Sequence, residues 1–139
     1  MKINFFKTVV LFFVGIVSTS CDPGHSIVIT NNSENKVKVK IVVDKSKFGN
    51  TSKISSGLEE ITKGDSIVID LKPEESFDIY FGMGTWEEND IDSIVSYIKT
   101  FQVETIDKTI IYKSKKANKQ LLQNREGFPL KTKIKVDIE

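Results

Sequence analysis

The chain has one cysteine, Cys21, and one histidine, His25, among 139 residues. So sparse a supply excludes a four-ligand Cys/His zinc site and any disulfide within the chain. A Cys–His nucleophile pair is open only to Cys21 and His25. An excess of one charge is also lacking: 20 Lys+Arg stand against 19 Asp+Glu, a formal net of +1. That balance provides no field to draw in nucleic acid. The Cys…Trp…Cys pattern of antibody domains is absent, and so is any internal repeat. The length fits one domain, and a hydrophobic content of 39% is enough for a core.

What is present begins with Met1–Cys21. Lys2 and Lys7 are its only charges, Val9–Val17 is almost wholly bulky and apolar, and Ser18, Thr19 and Ser20 are small. Charged, apolar, then small is the order of a secretory signal. The apolar run is less than half the roughly 20 residues that span a bilayer. Val17-Ser18-Thr19-Ser20-Cys21 resembles the lipobox of bacterial lipoproteins, with Ser18 where the common pattern has Leu. The resemblance implies that the Cys21 thiol takes a diacylglycerol, that the signal is cut before it, and that the new amino group is acylated. Stable anchoring takes more than one acyl chain, each buried CH₂ contributing about 0.8 kcal/mol. Cleavage would remove two lysines and no acid, moving the formal charge from +1 to −1. With no polybasic patch to attract anionic lipid, the lipid would be the membrane determinant.

The opening Cys21-Asp22-Pro23-Gly24, followed by Ile29-Thr30-Asn31-Asn32-Ser33, is similar to the start of small Bacteroidetes-type lipoproteins. That likeness covers the first third of the chain. It implies an outer-membrane location and an all-β fold, and no activity. In that group, surface export goes with a run of acids after the lipid cysteine. Asp22 stands alone here, so the resemblance implies the periplasmic face.

Three segments are therefore expected: a signal peptide over 1–20, a lipidated cysteine with a short tether over 21–26, and one domain over 27–139. Ile27–Thr30 is rich in β-branched residues, and Val37, Val39 and Ile41 alternate with Lys36, Lys38 and Lys40. Such alternation marks a half-buried strand, and the short polar connection between the two runs predicts an antiparallel hairpin. Further strands are expected at Glu59–Ile61, at Ser66–Leu71 with Val68 buried on the second face, and at Phe77–Phe81, Thr100–Glu104, Thr109–Tyr112 and Thr132–Ile138. A strand end near Phe48 is also expected. Ile91, Ile94, Val95 and Ile98 recur at helical spacing, which predicts a short helix near residues 90–98. Lys113–Arg125 reads as a polar basic loop, with Phe128 and Leu130 returning to the core. The sum is an all-β antiparallel sandwich, immunoglobulin-like by strand number alone.

Candidate chemistry is thin. His25 reads as a polar tether residue. Adjacent carboxylates, as in Glu59-Glu60 or Glu74-Glu75, point to opposite faces of a strand and make no glycosidase dyad. Glu88, Asp90 and Asp92 supply oxygen donors of the kind Ca²⁺ takes, without the EF-hand spacing. Gly82-Met83-Gly84 lacks the Lys-Ser/Thr of a phosphate loop. Trp86 reads first as a lid on the core, since aromatics are mostly buried, and Trp86 with Tyr80 is the alternative, a candidate sugar-stacking pair. The expectation is a non-enzymatic envelope lipoprotein without cofactor. Its partners would be the membrane and an envelope protein or glycan, with the Trp86 loop as the glycan-binding alternative.

Overall fold

The computed structural model describes residues 24–47, 58–59, 61–127 and 130–139. The signal segment, Cys21, Asp22-Pro23, the strand end near Phe48, Glu60 and Phe128 lie outside the described residues.

The described chain is mostly β. The strands are β1 (Gly24–Asn31), β2 (Val37–Val43), β3 (Ser66–Leu71), β4 (Ser76–Met83), β5 (Ile98–Glu104), β6 (Thr109–Tyr112), β7 (Arg125–Glu126) and β8 (Lys133–Ile138). Two helices join them: α1 (Glu88–Tyr97) between β4 and β5, and α2 (Lys115–Leu121) between β6 and β7. One sheet has the order β4-β1-β8-β7 and the other β3-β2-β5-β6. Their inner faces meet in a core of β-branched and aliphatic residues that includes Ile29, Val37, Val39, Ile79, Ile94 and Ile134. This is a sandwich-like packing of two four-stranded sheets.

The alternation expected in β2 holds: Val37, Val39, Ile41 and Val43 are buried while Lys38 and Lys40 face water. β8 shows the same pattern, with Ile134, Val136 and Ile138 inward. Pairing departs from expectation in two ways. β1 and β2 form no hairpin. β1 pairs with β4 and β8, whereas β2 pairs with β3 and β5 in the other sheet. The connection is an arch between sheets, and Asn31 holds it. Asn31 is fully buried. Its Nδ2 donates to the carbonyls of Asn35 at 2.8 Å and Leu71 at 3.2 Å. Its Oδ1 accepts from the Ser33 backbone N–H at 3.0 Å and the Ser33 hydroxyl at 2.6 Å. A side chain that satisfies both sheets' ends stabilises a crossing where a two-residue turn would have given a hairpin. The second departure is that β1 and β8 run parallel, so the sandwich is not purely antiparallel. The first and last strands enter their sheet from the same end, which leaves them no other orientation.

Other expectations shift locally. Gly24, His25 and Ser26 belong to β1 rather than to a tether, and His25 and Ser26 are buried. Residues 58, 59 and 61 are helical, not a strand, with the Thr62 hydroxyl donating to the Leu58 carbonyl. Val68 is 55% exposed on the outer face of its sheet. Leu130 is 47% exposed and does not return to the core. Helix α1 starts two residues earlier than expected. Glu87 and Asp90 form a reciprocal capping box that satisfies its first N–H groups. The basic stretch is helical over α2, with the Ser114 hydroxyl accepting from Ala117 N–H at 3.1 Å. Among the described residues, no helix is long and apolar enough to cross a membrane.

Both helices lie over one end of the sandwich. Strand direction puts the start of β1, the end of β4, the end of β2 and the start of β8 at that end. The inter-sheet arches lie at the other.

Candidate functional site

The helix-covered end gathers most of the residues singled out in the sequence. A bulge sets its geometry. Gly24 faces Met83 and Ser26 faces Tyr80, so β4 carries one residue more than β1 between these pairs. Gly82 takes φ +100° there, a conformation suited to glycine. The bulge delivers the Gly82 carbonyl to His25, whose Nδ1–H donates to it at 3.1 Å. The imidazole is further enclosed by Trp86, edge-on with ring centroids 4.7 Å apart, and by Phe81 at 6.3 Å. His25 is thus a packed member of this end.

Trp86 is 3% exposed. Its Nε1–H donates to the Ser26 carbonyl at 3.0 Å, and its backbone N–H donates to the Lys131 carbonyl at 2.8 Å. It stands edge-on to Phe81 at 5.4 Å. The indole closes the sandwich as a lid and presents no face to a sugar. Tyr80 points the other way and is 59% exposed, its ring lying over Gly24. The structure therefore separates the two aromatic candidates: one is core, the other surface.

The acidic candidates are engaged within this chain, Asp90 by a helix cap and Glu88 and Asp92 by cations. Asp90 Oδ2 accepts from the Glu87 backbone N–H at 2.9 Å. Lys119 of α2 reaches Asp92 at 2.6 Å and Glu88 at 2.8 Å, and Arg125 reaches Glu88 at 3.3 Å. Hydrogen bonding to Asp92, then to Glu88, raises the Lys119 pKa above its ordinary value. These groups pin α2 to α1 where a calcium reading would have them converge on a metal. Neighbouring Asp44, where β2 ends, has its pKa lowered, first by the Ser46 hydroxyl at 2.7 Å and also by Lys99 at 3.5 Å.

Two buried amides escaped sequence reading. One is Asn31, at the arch between the sheets. Asn118 of α2 is 1% exposed, and its Nδ2 donates to the Ile98 carbonyl at a long 3.5 Å. Its Oδ1 has no hydrogen-bond partner among the described residues. The signal for α2 itself was available: Ser114 ahead of Lys115-Lys116-Ala117 is a cap followed by good helix formers.

The outer faces hold shallow concavities. The larger, about 470 Å³, lies at the arch end between Lys36, Lys38, Asp70, Glu104 and Ile106. Its acids and bases balance, and Lys36 stands 3.9 Å from Asp70. A second, about 320 Å³, runs over Val28, Thr30, Ser76 and Lys135. Each is open and lacks a buried polar group aimed into it. Together, the fold and this end define a two-sheet sandwich with a helix-capped terminus. No family model, no curated protein and no solved structure matches the chain.

Proposed function

We propose that the chain is a lipid-anchored protein of the bacterial cell envelope, held on the outer membrane through acylated Cys21, on the periplasmic face. It acts as a non-enzymatic binding or structural module. One observation carries the reading: an apolar run and three small residues end at the chain's only cysteine, directly ahead of a strand that begins at Gly24. A lipid there sits at the edge of a folded domain without disturbing it. The non-enzymatic part draws support from His25, the chain's only imidazole, which is spent on packing and on the Gly82 carbonyl. The glycan-binding alternative loses its support with the burial of Trp86. On this reading the sandwich is immunoglobulin-like, which its two four-stranded sheets and the arches between them favour.

Mass spectrometry of the N-terminal peptide from the native protein tests the anchor. The expected mass is that of Cys21 with a diacylglyceryl group and an acylated amine, and Cys21→Ala is expected to leave the membrane fraction. A free thiol or a retained leader overturns the proposal. Protease shaving of intact cells tests orientation, and cleavage at the surface would refute the periplasmic assignment.

A further inference from the structure

Exposed apolar side chains lie on the segments that flank the start of β1. Tyr80 and Met83 are each 59% exposed and Leu130 is 47% exposed. Met83 is the pairing partner of Gly24. The Tyr80 ring lies on Gly24 so closely that a Cβ there would stand 2.6 Å from it. Leu130 precedes Lys131 and Thr132, whose carbonyls accept from Trp86 and Ser26 at 2.8 and 3.0 Å. Lys131 and Lys133 are exposed beside them, and Glu126 is paired in register with Lys133. The corner is therefore apolar and aromatic with charges of both signs.

We infer that this corner rests in the headgroup layer of the bilayer, with Tyr80, Met83 and Leu130 entering it. The inference rests on the lipid-anchor reading and adds to it a membrane-contacting protein surface. Chain length carries the argument. Cys21 and Gly24 are three residues apart, a reach of at most about 11 Å. The headgroup layer on each side of a bilayer is itself roughly 5–8 Å thick. Even fully extended, so short a leash outreaches that layer by only about 3–6 Å, so the domain stays against it, and the part closest to it is the start of β1. Tyrosine is a side chain favoured at the membrane interface. Lysines extend their ammonium groups toward phosphates while their stems lie on apolar surface. With Glu87 and Glu126 exposed at the same end, the contact is apolar insertion rather than attraction to anionic lipid. The lipid is then a hinge of limited play, and the arch end is the face turned away from the membrane.

Spin-label depth measurements on the full lipidated protein test this. Acylated Cys21 has no free thiol, so a single introduced cysteine takes the nitroxide. Met83→Cys, Leu130→Cys and, in the β5–β6 connection at the far end, Ile106→Cys are reconstituted in vesicles of phosphatidylethanolamine and phosphatidylglycerol. All three positions are exposed, so the labels leave the core intact. The expected result is a several-fold higher ratio of oxygen to nickel-chelate collisions at 83 and 130 than at 106. Equal, water-like ratios at all three positions in protein that floats with the vesicles overturn the inference and leave the anchor standing. Protein that fails to float and takes label at Cys21 removes the anchor and the inference together.

Discussion

Two asparagines, equally hidden from water, are expected to respond very unequally to the same substitution. Asn31 uses both ends of its amide: two donated bonds, at 2.8 and 3.2 Å, and two accepted ones, at 3.0 and 2.6 Å. In Asn31→Ala the Leu71 carbonyl is left buried without this donor, at a cost of about 1–3 kcal/mol. The Ser33 and Asn35 groups lie nearer water and lose about 0.5–1.5 kcal/mol each. Destabilisation of about 3 kcal/mol follows, roughly a 1.5–2 M fall in the urea midpoint for a typical slope. Asn118 gives up one bond of 3.5 Å, at the margin of hydrogen bonding, and an Oδ1 without a partner among the described residues. Removing that oxygen relieves a desolvation cost of about 1–3 kcal/mol, which offsets lost packing. Alanine also favours α2 by a few tenths of a kcal/mol or more. Asn118→Ala is thus expected within about 1 kcal/mol of the parent. Urea unfolding followed by Trp86 fluorescence, on a chain shortened to begin at Asp22, reads both. Asn31→Asp adds a pH signature. Its carboxylate would face two carbonyl oxygens, raising its folded pKa above the unfolded value. The variant should then gain stability as pH falls, because the folded state binds more protons. Equal losses at 31 and 118 would refute the reasoning.

Trp86→Phe keeps most of the lid but strips the Ser26 carbonyl of its indole donor, an expected cost of about 1–3 kcal/mol. Trp86→Ala should cost about 3–5 kcal/mol, both by thermal melts in circular dichroism. Ser46→Ala should raise the Asp44 pKa toward its ordinary 3.8 in an NMR titration, since the Ser46 hydroxyl is the largest cause of its lowering. The stability tied to Asp44 is present above 3.8 and lost as pH falls through the lowered folded value. Lys119→Met should destabilise the α1–α2 contact modestly at low ionic strength. The difference should shrink near 1 M salt, where the Debye length falls to about 3 Å. Because the Lys119 pKa is raised from 10.5, its contribution is full below that pH and fades as pH rises through the folded value.

How far the sequence reveals this molecule depends on how local each decision is. Alternation in Lys36–Val43 and Lys131–Ile138 marks strands because a pleat sends neighbours to opposite faces, and both are observed. Tyr80 outward follows from Ile79 and Phe81 inward by the same rule. Ile91, Ile94 and Val95 mark α1, whereas Ile98 and Phe101 continue the periodicity but belong to β5. Partner choice is not local. Asn31-Asn32-Ser33 has a turn composition in either outcome, and distant partners make it an arch: β4 and β8 beside β1, and the Leu71 carbonyl, 40 residues away, on Asn31. The inward pose of Trp86 depends likewise on Ser26, 60 residues distant. The parity of β4 placed half of the aromatic pair, and a long-range hydrogen bond placed the rest.

β1 lies between β4 and β8, hydrogen-bonded along both flanks. A pull on the chain's start runs along that strand's axis, while its ladder bonds lie across the axis. Both ladders are strained in shear together, so they must give way collectively; an edge strand would unzip one bond at a time. The placement of β1 gives this small sandwich resistance to mechanical extraction by a force applied at Gly24.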